Sequence, residues 1–119
     1  MKDEAERKAD SEAVEVGARR CRDAEGVSER FNEGLEVRRA VLGAEHVDRT
    51  LEQASPFARP MQELVTEYCW GAVWGREGLE KKTRSLLNIA MLSTLNRPHE
   101  LKVHVKGAIR NGATKTEIR

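Results

Sequence analysis

The sequence predicts an all-α protein, and three observations carry that prediction. Apolar residues recur with three-then-four spacing through Met61, Leu64, Val65, Tyr68, Cys69, Ala72 and Val73, the period of an amphipathic helix. Helix start and stop signals are present: Ser28 ahead of a periodic run that halts at Gly43, and a Thr-Lys-Thr-Glu capping box at 114–117. No stretch of useful length alternates with the period of a strand, and neither internal repeats nor low-complexity segments interrupt the pattern.

Taken in order, residues 1–27 hold eight acids and six bases with only a thin stripe of Ala5, Ala9, Ala13 and Val16, the composition of a charged tail or a loosely held helix. The domain therefore starts at residue 28. A first helix is expected near 29–42, with Phe31, Leu35, Val41 and Leu42 as its apolar residues, followed by a loop, AEHVDRTLEQASPFAR. The second helix, beginning near Met61, should end near Trp74, because glycines at 71, 75 and 78 thin out helical propensity. A third is expected from about Leu79 to Leu95. Its middle, SLLNIAML, is apolar nearly all round and marks a helix packed on more than one side, at the centre of the fold or of an interface. Pro98 suits the first turn of a fourth helix, in which Leu101, His104, Val105 and Ala108 share a face up to Gly112. The capping box then announces a further helix, and only Ile118 and Arg119 follow it.

Charged residues make up 34% of the 119, yet the formal net charge is +1, so no basic excess favours nucleic acid. No run approaches the roughly 18 apolar residues of a membrane span, and MKDEAERKAD lacks the apolar core of a signal peptide; the expected compartment is the cytoplasm. Cys21 and Cys69 lie far apart, which fits reduced thiols better than a disulfide framework or a zinc site. There is no Gly-rich phosphate loop, HExxH or GxSxG, so nucleotide, zinc and serine-hydrolase mechanisms find no residues.

His104 is the foremost candidate for chemistry, since an imidazole on an apolar stripe is partly desolvated and titrates near neutral pH. From the residues alone, a core histidine that only hydrogen-bonds a backbone carbonyl is the plainer reading. Arg84 lies in register with Leu87 and Met91, so its stem should be buried while its guanidinium reaches a cavity; the fork suits a carboxylate, and snorkelling is the plainer alternative. Glu67, Trp70 and Trp74 form a second stripe beside the main one, fit for a pocket wall or, more readily, a subunit contact. His46 and His99 read as solvent-facing polar residues without a role.

Three strings, FNEGLEVRRAVLGAEHVDR, ELVTEYCWGAVWGREGLEKKTRSLLNIAMLSTLNR and HELKVHVKGAIRNGATKTEI, together resemble the 4-carboxymuconolactone decarboxylase family and cover about three quarters of the chain. The resemblance implies the helical fold of alkylhydroperoxidase D-type proteins and assembly as a homo-oligomer, a hexamer or trimer. Peroxidase-type relatives carry C-x-x-C-x-x-x-H, the histidine eight residues before a glycine. His104 stands eight before Gly112, while Arg97 and Glu100 fill the cysteine positions, so a thiol relay is not expected. The implied reaction is decarboxylation of a lactone dicarboxylate to β-ketoadipate enol-lactone in protocatechuate catabolism, without a cofactor because the lactone carbonyl is the electron sink. In that reading His104 delivers the proton, Arg84 binds a carboxylate or the oxyanion, Glu67 orients the histidine, and Trp70 and Trp74 form a desolvating wall. Members of the family continue past TxxEI with a long helix containing Gly-Val-Pro. A chain lacking it is expected to be a truncated homologue with impaired activity. A non-catalytic oligomeric interaction module, without a pocket at His104, and a thiol peroxidase-type redox protein are the alternatives.

Overall fold

The computed structural model describes residues 28–119; the charged segment 1–27, with Cys21, lies outside them. Among the described residues every regular element is a helix. Helix α1 spans Glu29–Leu42, and the Ser28 hydroxyl accepts from the Phe31 amide at 3.1 Å, satisfying one of the donors that a helix start leaves open. It stops at Gly43, whose φ of 94° suits a residue without Cβ. Gly34, Arg38 and Val41 form its buried face.

The expected loop after Gly43 is in its first half a helix, α2, Ala44–Glu52. Ala44, Val47 and Leu51 recur at helical spacing, Val47 is fully buried, and Arg39 of α1 holds Asp48 at 2.6 Å. With so few apolar positions, burial of one valine and the turn at Gly43 decide the outcome over the polar composition.

Helix α3, Arg59–Val65, runs without a break into a π-helical stretch, Thr66–Trp74, whose wider turns are closed by bonds such as Gly75 amide to Trp70 carbonyl, five residues back. The end at Trp74 is as expected, but the orientation is not. Met61, Leu64, Tyr68 and Val73 are half exposed or more, while Thr66, Trp70 and Trp74 are buried. The two indoles, roughly 150–250 Å² each, take the inside, where the close approach of α1 to this stretch turns their stripe towards Val41. Gly34 and Gly71 let α1 and the π stretch touch backbone to backbone: a Cβ on Gly34 would lie 2.1 Å from the Thr66 carbonyl oxygen.

Helix α4, Lys81–Thr94, starts two residues later than expected and turns Arg84 and Ser85 inward. It is not enclosed on all sides within the chain, since Leu87, Met91 and the following Leu95 remain about half exposed or more. Helix α5, Pro98–Arg110, crosses α1 where Gly107 approaches the Val41 carbonyl, and Asn111 donates to the Ser85 hydroxyl at 2.8 Å, tying α5 to α4. It closes with Ala113 amide to Ala108 carbonyl and Gly112 amide to Ile109 carbonyl, the paired bonds of a Schellman end. The capping box then opens a one-turn helix, α6, Lys115–Ile118, and Lys82 holds Glu117 at 2.7 Å. The core is Val41, Trp70 and Trp74, with Val37, Leu42 and Val65 packed against it.

Candidate active site

Three elements converge on His104. The π stretch brings Trp70 and Trp74, with ring centroids 4.9 Å apart; α5 brings the imidazole, and α4 brings Asn88. The imidazole lies nearly parallel to Trp70, with 6.3 Å between centroids and 5° between planes, and 6.4 Å from Trp74. These separations are within the range of favourable ring packing. Asn88 Nδ2 is 3.5 Å from His104 Nδ1, a long contact in which the tautomer of the ring decides the direction. Burial holds the His104 pKa below the ordinary histidine value. The imidazole is therefore neutral near neutral pH.

Of the residues singled out from sequence, His104, Trp70 and Trp74 come together. Both tryptophans are buried within the chain. The Glu67 carboxylate is engaged by Ser28, whose hydroxyl donates to Oε1 at 2.9 Å. Arg84 is buried, as its register suggests, but its guanidinium turns to the loop between the π stretch and α4. Nε donates to the Leu79 carbonyl at 2.9 Å and Nη2 to the Arg76 carbonyl at 2.8 Å. His46 and His99 are solvent-facing, and both line a groove between α2 and α5.

Two residues escaped the sequence reading. Asn88 was visible as the one amide in SLLNIAML, a polar side chain that an apolar run tolerates when it meets a partner. Arg38 carried no such signal. It is buried between α1 and the α3–π helix, donating from Nη1 to Thr66 Oγ1 and from Nη2 to Gln62 Oε1, both at 2.8 Å, while Nε has no partner among the described residues. Its two bonds go to neutral acceptors. Burial lowers its pKa, and Cys69 acts in the opposite sense.

Cys69 is exposed, and among the described residues no three His, Cys, Asp or Glu side chains gather as a metal cluster would require. No described helix is long and apolar enough to cross a membrane.

Fold and site together define an all-helical protein with one half-buried imidazole set against an indole wall. Residues 59–119 match the model of the Carboxymuconolactone decarboxylase family. The chain is 44% identical over 91 residues to 4-carboxymuconolactone decarboxylase of Acinetobacter baylyi, covering 76% of this chain and 68% of that protein. This chain belongs to the carboxymuconolactone decarboxylase family. It is also 51% identical over 89 residues to nitrosuccinic acid decarboxylase npaB of Metarhizium robertsii, covering 75% of this chain and 62% of that relative's length. A 43-residue stretch is 46% identical to 4-carboxymuconolactone decarboxylase of Pseudomonas putida, 36% of this chain and 90% of that sequence.

Proposed function

We propose that the protein is a cofactor-free decarboxylase of a small dicarboxylate whose own structure stabilises the carbanion, with 4-carboxymuconolactone as the substrate and the protocatechuate branch of the β-ketoadipate pathway, in the cytoplasm, as its place. The observation that carries this reading is His104, half-buried against Trp70 and Trp74 with no charged partner among the described residues. An apolar wall favours loss of a carboxylate because the charge leaves the carboxyl group as carbon dioxide departs and disperses into the sink. In the lactone, the electron pair of the breaking carbon–carboxyl bond moves through the double bond onto the carbonyl oxygen. A proton then returns to the carbon beside that carbonyl, giving the enol-lactone. The relatives' names support the same chemical class: nitrosuccinic acid also carries a carboxylate on a carbon next to an electron-withdrawing group.

His104 serves as the proton carrier. Neutral in the free protein, it gains a proton when a substrate carboxylate settles beside it, since an opposite charge favours the cation, and it gives that proton to carbon. Asn88 orients the ring through Nδ1. Arg84 has two of its three guanidinium nitrogens on backbone carbonyls and positions the 75–80 loop, leaving Nη1 for a carboxylate. The exposed Met61, Leu64, Leu87, Met91 and Leu95 support a homo-oligomer, a trimer or hexamer, that covers them.

The test is release of carbon dioxide and loss of lactone absorbance with freshly made 4-carboxymuconolactone, with nitrosuccinate run in parallel and the solution mass measured by light scattering. The expected results are turnover of the lactone, a mass that is a multiple of one chain, and a fall of roughly 100-fold or more in His104→Asn without loss of folding. Turnover of nitrosuccinate alone would replace the substrate. Inertness towards both compounds, or a fully active His104→Asn protein, would defeat the proposal.

A further inference from the structure

The groove between α2 and α5 has a volume of about 440 Å³, within the range of small-molecule sites. Its lining includes His46 and Arg49 from α2, and His99, Lys102, Lys106 and Arg110 from α5. Glu45 is the one carboxylate in that lining, and it is already ion-paired with Arg49. Four permanent cations thus face one cavity against a single acid, in a chain whose formal net charge is only +1. Among the described residues neither Lys102 nor Lys106 has an acidic partner.

Local backbone geometry adds to the same sign. Gly43, Glu45 and His46 belong to the start of α2, and no side chain caps that end, so the first-turn amides keep their donors. The groove is also separate from the indole wall. With 3.6 residues per turn, His99, Lys102, Lys106 and Arg110 share one face of α5, and His104 lies roughly 150° round the helix from it. The His46 pKa is held down first by burial and then by Arg38, Arg49, Lys106 and His99. Among the described residues, positive charge is therefore crowded here with Glu45 as the one carboxylate of the lining to offset it.

We propose that this groove is a binding site for a small dianion of the dicarboxylate or phosphate class, distinct from the His104 site. Its size selects a small molecule over a polymer. Its cations offer two kinds of contact, with the Arg49 and Arg110 forks matching planar carboxylate or phosphate oxygens and the two lysines acting as point charges. Bound negative charge would relieve the mutual repulsion and draw the His46 pKa upward.

The experiment is an NMR titration of the full chain, following the three histidine ring resonances, with succinate in one series and inorganic phosphate in another. The expected result is a saturable shift of His46 and His99 at one site per chain, a raised His46 pKa, and no movement of His104. In Lys102→Gln/Lys106→Gln, with Arg49→Gln as an independent second variant, affinity should weaken about ten-fold or more while the melting curve holds. Saturation by succinate alone or phosphate alone identifies the source of the charge; saturation by both supports a general dianion site. No shift with either anion, undiminished binding in the variants, or shifts confined to His104 would overturn the proposal.

Discussion

Replacing Gly34 with alanine sets two effects against each other inside α1. Helix propensity favours alanine by roughly 1 kcal/mol in a helix interior. Against it stands a Cβ placed 2.1 Å from the Thr66 carbonyl oxygen and 2.7 Å from the Gly71 amide nitrogen. Both neighbours are backbone, with no rotamer that could swing aside. Helix α1 and the π stretch must therefore move apart, and Trp70 loses packing against Val41. Overpacking of this kind costs about 1–3 kcal/mol, and contact with rigid backbone puts Gly34→Ala at or above the top of that range. After the gain in propensity is subtracted, the net loss is about 2 kcal/mol, which lowers Tm by roughly 8–16 °C in a domain of this size. Melting followed by far-ultraviolet circular dichroism at fixed protein concentration reads the change. A variant that melts at or above the parent temperature would refute the close crossing.

The histidines give stability a defined pH dependence. In the folded chain His104 and His46 are both held below the ordinary value near 6.5. Stability is then full above that value and is lost as pH falls from it through the folded values, because the unfolded chain takes protons first. Tm should drop as pH falls below about 6.5, and His104→Asn should flatten the drop; an unchanged slope would remove His104 as its source. The Glu117 carboxyl, brought down to about 2 chiefly by its hydrogen bond with Lys82, acts in a separate window that opens only below roughly pH 4.5. Cys69→Ser together with Cys21→Ser should leave any turnover intact, since the exposed Cys69 has no resolving thiol among the described residues; loss of turnover with folding retained would point to thiol chemistry. Arg84→Met should lower stability by about 1–3 kcal/mol through release of the Arg76 and Leu79 carbonyls, measured by urea unfolding, and an unaltered midpoint would mean that the clamp is not formed in solution.

Much of the fold was legible because it is written in local chemistry. Ser28 and Gly43 bracket α1, Pro98 and Gly112 bracket α5, and the Thr114–Glu117 box forms its two reciprocal bonds. What stayed hidden depends on partners that are distant in sequence. Periodicity finds two stripes on residues 61–74 but cannot say which one meets α1; that follows from the Gly34–Gly71 contact, between residues 37 positions apart. In the candidate site, His104 and both tryptophans were legible as side chains sharing helix faces. The destination of the Arg84 guanidinium was not, because its acceptors are backbone carbonyls, which every residue possesses. Arg38 was invisible for the opposite reason: its neutral acceptors, Thr66 and Gln62, leave no charge pattern to read.

Burial also gives Arg38 a different response to ionic strength from that of its neighbours. Mobile ions screen exposed charges over a Debye length of about 8 Å at physiological ionic strength, and they reach a buried guanidinium far less well. Of the cations that depress His46, Arg49, Lys106 and His99 are exposed and fade as electrolyte is added, whereas Arg38 and the desolvation of the ring persist. The titration of His46 should therefore climb only part of the way towards its ordinary value in concentrated electrolyte. The distance still missing measures how much of the depression is set by burial of the ring and by Arg38 together, and the distance recovered measures what the surface charges carry.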